Sequence, residues 1–84
     1  MAARTFSPTE AIQIGRAIGV DFSKIDPQQF RLGLAVELEH GTRDPETNVT
    51  GDSLEATGRI ALAHLREIPD YYTRLQKMEA EARR

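Results

Sequence analysis

Apolar residues recur at three- and four-residue spacing through most of this chain, a period typical of amphipathic helices. Groups of Gly, Pro, Ser, Asp and Asn divide the pattern into four segments, and no segment alternates strictly as a strand would. The 84 residues suffice for one domain with a small core. We therefore predict an all-α, compact four-helix single domain over residues 1–84, with frayed ends at about 1–6 and 80–84.

Two proline motifs predict where the first two helices begin. The stretch SPTE at 7–10 combines an N-cap serine, proline at the first helical position and a glutamate that completes a capping box. Helix one should run from Pro8 to about Ile18, with Gly19 as its left-handed stop. The stretch DPQQ at 26–29 repeats this pattern, with Gln29 in the place of the glutamate. Helix two should begin at Pro27.

Helix two is apolar around most of its circumference, so we expect it to be central and to end at Gly41. Residues 41–50 are polar and rich in turn formers, which predicts a long ordered loop between helices two and three. Thr50 or Asp52 can cap helix three. The predicted inner face of helix three comprises Leu54, Gly58, Ala61, Leu62 and Leu65.

Pro69 separates the last two helices. Because the residue before a proline disfavours helical conformation, helix three should end near Glu67 and helix four should begin at Pro69. Adjacent residues on a helix point about 100° apart, so one of Tyr71 and Tyr72 should lie in the core and the other at its rim. The same inner face should include Leu75 and Met78.

Composition and charge narrow the functional classes. The chain has no cysteine, which excludes disulfides and thiol chemistry. No apolar run could span a membrane and no signal peptide is apparent, so we expect a cytoplasmic protein without membrane association. A net charge of -2 argues against nucleic-acid binding. Such binding would require four arginines to gather on one face: Arg31, Arg59, Arg66 and Arg74.

The two histidines, His40 and His64, each have a carboxylate three residues away on a predicted helix. Gly33 and Gly58 could bring helices two and three close enough for these groups to converge. Histidine and carboxylate ligands can hold Zn, Fe or Mn. The metal-site hypothesis therefore comprises Glu37, His40, His64, Glu67 and Asp70.

A structural role for both histidines is the competing interpretation, and it requires no cofactor. His40 can interact with the free carbonyls at the end of helix two, and His64 can hydrogen-bond the loop at 47–50. In that loop, Asn and Thr side chains are expected to bond neighbouring backbone amides. A small-ligand site is a further hypothesis, with Glu37, His40, Asn48, His64 and Tyr71 as its residues.

Motifs tied to one catalytic chemistry are missing from the sequence. It shows no Ser/His/Asp arrangement, no phosphate-binding glycine loop and no CxxC. Glu37 and Glu39 point to different faces of helix two, so they are a poor acid/base pair. We do not predict an enzyme.

The stretches VELEHG, TNVT and GRIALAHLREIPDYY resemble a small family of uncharacterised bacterial and phage proteins. The resemblance extends from about Phe30 to Leu75. It implies that these stretches belong together as one surface or polar core. It assigns no catalytic role to His40, Asn48, His64 or Tyr71.

The predicted function is a protein-interaction module or structural accessory protein. A thin core and a helix carrying tyrosines should leave apolar surface that a second copy or a protein partner could cover. The alternative is a metal- or small-ligand-binding protein that uses the histidine and carboxylate cluster.

Overall fold

A computed structural model describes residues 5–43, 46, 48, 51 and 53–83 of the chain. It contains four helices: α1 (Pro8–Ala17), α2 (Pro27–Arg43), α3 (Leu54–Glu67) and α4 (Tyr71–Ala82). No strand occurs among these residues, which confirms the all-α, four-helix prediction. No helix in the described ranges is long and apolar enough to cross a membrane.

The start of α1 follows the predicted capping box. The Ser7 hydroxyl accepts a hydrogen bond from Glu10 N at 3.1 Å, and Ser7 N donates to Glu10 Oε1 at 3.0 Å. Gly19 has a φ of +83° directly after the C-cap residue Ile18, as predicted for a left-handed stop. Both ends of α1 therefore depend on local chemistry.

Helix α2 begins at Pro27, where the Asp26 carboxylate accepts a hydrogen bond from Gln28 N at 2.8 Å. The predicted stop at Gly41 is wrong, because α2 continues to Arg43. A glycine ends a helix when its backbone turns left-handed, whereas Gly41 is helical and buried in the last turn. Most of the predicted loop that follows lies outside the described residues.

Ser53 caps α3, and its hydroxyl accepts a hydrogen bond from Ala56 N at 3.2 Å. The prediction of Thr50 or Asp52 as the cap is therefore wrong, and those two residues lie outside the described part of the chain. As predicted, α3 ends at Glu67.

Helix α4 begins at Tyr71 and not at Pro69. Tyr71 N donates to the Ile68 carbonyl at 3.0 Å, so Pro69 and Asp70 occupy the two central positions of a turn. Asp70 makes no side-chain cap, because its carboxylate accepts a hydrogen bond from Arg74 Nε at 2.7 Å.

Helix α2 packs against each of the other three helices, which agrees with its predicted central place. The α3 face predicted to be inner is buried except at Leu54, which is half-buried. Among the described residues, the buried apolar side chains are Phe6, Ala11, Val20, Phe30, Leu34, Ala61, Leu62, Leu65 and Tyr72.

Phe6, near the start of the described residues, and α4, near their end, both take part in the fold. Phe6 is 2% exposed, and its carbonyl accepts a hydrogen bond from Arg31 Nη1 at 3.0 Å. At the other end α4 continues to Ala82. The predicted inner position of Met78 is wrong, because 60% of that residue is exposed.

Candidate functional site

Tyr72, in the first turn of α4, is the centre of a polar cluster that joins three helices. The residue is 0% exposed, and its hydroxyl donates to Glu37 Oε2 on α2 at 2.8 Å. A methyl group on Gly33 would lie 2.4 Å from Tyr72 Cε2. The missing side chain of Gly33 therefore makes room for the tyrosine ring.

Gln29 of α2 fixes the same turn of α4 through two hydrogen bonds. Its Oε1 accepts from Tyr72 N at 3.2 Å, and its Nε2 donates to Thr73 Oγ1 at 2.6 Å. The predicted capping role of Gln29 is wrong, because this 8% exposed side chain binds α4 instead. One amide thus satisfies a backbone N–H that the helix itself leaves without a partner.

His64 brings α3 into the cluster. Its Nε2 lies 3.5 Å from Glu37 Oε2, the same oxygen that accepts from Tyr72. The Glu37 side chain is 12% exposed and that of His64 is 37% exposed. A protonated imidazole would therefore face a carboxylate that is largely shielded from water.

The aromatic rings of the cluster have a defined arrangement. His64 stacks on Tyr71, with centroids 4.4 Å apart and an interplanar angle of 4°. Tyr72 lies edge-on to Tyr71, at 5.0 Å and 89°. Tyr71 is half-buried, so the prediction of one core tyrosine and one rim tyrosine is confirmed.

The surroundings of Tyr72 keep its phenol protonated. Burial raises the pKa of Tyr72 far above its usual value, because a phenolate would lose its hydration. The negative charge of Glu37 and its hydrogen bond to the hydroxyl raise the pKa further. Tyr72 is therefore a hydrogen-bond donor at this position and not a base.

Of the predicted ligand-site residues, the structure brings together Glu37, His64 and Tyr71. His40 is exposed in the last turn of α2. Asn48 Oδ1 accepts a hydrogen bond from Gly51 N at 3.0 Å, the local bond expected in a turn. The predicted bond from His64 to the loop cannot be placed, because Thr47, Val49 and Thr50 lie outside the described residues.

The predicted metal site gains little support from this geometry. Glu67 is exposed at the end of α3, and Asp70 pairs with Arg74. Within the part of the chain that the structure describes, no group of three or more His, Cys, Asp or Glu side chains could hold a metal ion. Glu37 and His64 would supply two ligands, whereas structural zinc sites use four.

Sequence reasoning missed Gln29 and Tyr72 as members of the cluster. A signal for Gln29 was present, because Gln29, Gly33 and Glu37 are spaced by four residues and form one polar stripe on α2. The same spacing therefore places Gln29 on this stripe, one turn before Gly33.

The cluster joins α2, α3 and α4 through one carboxylate, one amide and three rings. It contains no nucleophile beside a base, and its phenol is held in the neutral form. Its first effect is to fix the rotation and position of the first turn of α4. His64 and Tyr71 are both half-buried, so their stacked rings are partly accessible to solvent.

A protein-family model described as "Protein of unknown function (DUF5661)" matches residues 11–81. The matched span includes every residue of the cluster, from Gln29 to Thr73. Comparison with curated proteins and with solved structures gives no significant match. The resemblance to an uncharacterised family that the sequence suggested is confirmed.

Proposed function

We propose that this chain, which belongs to the DUF5661 family of proteins of unknown function, is a small interaction module that pairs with a second copy through α4. One observation carries the proposal. An apolar stripe runs along α4, and much of it remains uncovered by the described part of the chain.

The stripe consists of Tyr71, Leu75, Met78 and Ala82, and we call it the α4 stripe. Its spacing of four, three and four residues is that of a coiled-coil seam. At 100° per residue, these four positions fall within an arc of about 60° on the helix. They therefore form a continuous line that a second helix can follow.

Large apolar side chains are exposed in the α4 stripe and just before the turn that leads into α4. Met78 is 60% exposed and Ile68 is 40% exposed, and they are the large hydrophobic residues that the described ranges leave exposed. Ile68 lies before the turn that leads into α4, and its backbone is extended. Tyr71 and Leu75 are half-buried. Burying exposed apolar surface is the main driving force for association.

The first turn of α4 is held in place before any partner arrives. Tyr72 and Thr73 are hydrogen-bonded to Gln29 and Glu37 of α2. Tyr72 lies on one side of the α4 stripe, and Arg74 and Glu81 lie on the other. A surface prepared in this way loses less conformational freedom on binding.

The charges beside the stripe favour a second copy as the partner. In an antiparallel pair of α4 helices related by a two-fold axis, Arg74 of each copy lies near Glu81 of the other. Two opposite-charge contacts then lie beside the seam, both on the side of Arg74 and Glu81. Met78 lies near the two-fold axis. Arg74 pairs with Asp70 in the single chain, but this bond is exposed and therefore contributes little.

Sedimentation equilibrium over a range of concentrations, combined with charge reversal, tests this proposal. We expect the wild-type chain to dimerise, and Arg74→Glu or Glu81→Arg to raise the dissociation constant by at least about tenfold. The double variant Arg74→Glu/Glu81→Arg should restore dimerisation, because the opposite charges face each other again. Arg59→Glu on α3 makes the same charge change away from α4 and should leave the dissociation constant unchanged.

Two results would overturn the proposal. One is a wild-type chain that remains monomeric at millimolar concentration. The other is a dimer that tolerates Arg74→Glu as well as it tolerates Arg59→Glu. Circular dichroism of each variant confirms that the helices are retained, so a loss of dimer is not a loss of fold.

A further inference from the structure

A pocket separate from the polar cluster lies between the loop after α1 and the side of α3. Its volume is about 240 Å³, and it is lined by Gly19, Asp21, Lys24, Ile25, Leu62 and Arg66. Leu62 and Arg66 are four residues apart, so they lie on the same face of α3. We call it the α1–α3 pocket.

The floor of the α1–α3 pocket is apolar and its rim is charged. Leu62 is 7% exposed and Ile25 is half-buried. Lys24 and Arg66 are exposed, and within the described ranges neither makes an ion pair within 4 Å. The rim therefore offers the donors of one ammonium and one guanidinium group.

Asp21 is the acidic member of the rim, and Ser23 already engages one of its oxygens. Asp21 Oδ1 accepts hydrogen bonds from Ser23 Oγ at 2.6 Å and from Ser23 N at 2.9 Å. These bonds lower the pKa of Asp21, and the nearby Lys24 charge acts in the same direction. With Asp21 ionised, the three charged residues carry a net charge of +1.

We infer that the α1–α3 pocket binds a small monocarboxylate with a short apolar chain. Arg66 and Lys24 would bind the carboxylate, since a guanidinium can donate two parallel hydrogen bonds to one carboxylate. The apolar chain would then lie on Leu62 and Ile25. The pocket is smaller than the range of about 300 to 1,000 Å³ usual for ligand sites, so it suits a short chain.

The net charge of the rim also predicts what the pocket rejects. An amine of the same length would place its positive charge beside Lys24 and Arg66, with only Asp21 to attract it. A dicarboxylate would bring a second negative charge to a rim with a net charge of +1. A single carboxylate matches both the charge and the apolar floor.

Titration with hexanoate, followed by the amide signals of ¹⁵N-labelled protein, tests this inference. We expect saturable shifts of the signals from the loop at 19–25 and from Leu62 to Arg66 at millimolar hexanoate. Hexylamine, which has the same chain with a positive charge, should leave these signals in place. Arg66→Gln should weaken hexanoate binding about tenfold, as expected for loss of one charge-assisted contact.

Arg59→Gln removes the same charge from an exposed position elsewhere on α3 and is the matched control. It should bind hexanoate as the wild type does. Absence of shifts with hexanoate would overturn the inference. Equal shifts with hexylamine, or equal weakening by Arg66→Gln and Arg59→Gln, would also overturn it.

Discussion

Tyr72 combines packing, hydrogen bonding and charge in a single side chain. Its ring occupies the space that Gly33 leaves open, and its hydroxyl donates to Glu37. His64 approaches the same carboxylate oxygen from α3. A substitution of Tyr72 should therefore alter contacts among α2, α3 and α4.

The raised pKa of Tyr72 makes stability depend on pH in the alkaline range. Above about pH 10 an unfolded tyrosine loses its proton, whereas folded Tyr72 keeps it. The unfolded state then binds fewer protons than the folded state, so the free energy of unfolding falls as pH rises above about 10. Below that pH the contribution of Tyr72 is fully present.

Urea unfolding at a series of pH values tests this prediction. The wild-type midpoint should fall above about pH 10, and Tyr72→Phe should remove the part of the fall that this phenol causes. At neutral pH, Tyr72→Phe should lower the free energy of unfolding by about 1.5 to 3 kcal/mol, because it removes a hydrogen bond to the Glu37 carboxylate. Tyr71→Phe is the control and should retain the Tyr72 part of the fall. An identical alkaline fall in wild type and Tyr72→Phe would contradict the assignment.

Residue-level reasoning identified the pair of tyrosines but not which one is buried. Sequence fixes the 100° between adjacent side chains, whereas the rotation of α4 about its axis depends on what the helix packs against. Gly33 and Gln29 of α2 decide it, because one makes room for the Tyr72 ring and the other binds its backbone. Glu37, His64 and Tyr71 were found in advance because they are polar or aromatic at helical spacing.

At the scale of helices, ends set by local chemistry were predicted best. Ser7, Pro8 and Glu10 act within one turn, so their role in starting α1 is readable from sequence. The start of α3 was missed because Thr50, Asp52 and Ser53 are all residue types that can cap a helix. Residue type therefore cannot tell which of the three caps α3, because that depends on tertiary contacts.

Gln29 provides the test at this scale, because it joins α2 to α4. Gln29→Leu keeps a similar volume but leaves Tyr72 N buried without an acceptor, which should cost about 1 to 3 kcal/mol. The Tyr72 amide should also exchange with solvent faster. Both effects are measurable by urea unfolding and by hydrogen exchange followed by NMR.

Gln28→Leu is the matched control, because Gln28 is exposed next to Gln29 and contacts Arg31 of its own helix. It should change stability by no more than about 0.5 kcal/mol. If the two variants lose the same stability, Gln29 does not hold α4 in the way described.

For the whole molecule, helical periodicity predicted the fold class and the central place of α2. Periodicity could not predict that Met78 is exposed. Apolar residues at helical spacing give the same sequence pattern whether the helix packs against its own chain or against a second chain. Periodicity also could not predict that Gln29 and Tyr72 belong to the polar cluster. These two residues are 43 positions apart in the sequence, and only the packing of α2 against α4 brings them together. The uncovered apolar surface of the α4 stripe is the basis of the proposed dimer.

The most direct test is to observe contacts between two copies at the α4 stripe. The chain has two methionines, Met1 and Met78, so ¹³C labelling of methionine methyl groups gives a simple spectrum. In a mixture of labelled and unlabelled protein, isotope-filtered NOE spectra detect contacts between two copies and not contacts within one copy. We predict signals from the Met78 methyl group to α4 of the second copy, lost with Arg74→Glu. A dimer in which the Met78 methyl group shows no contact to the second copy would contradict the account.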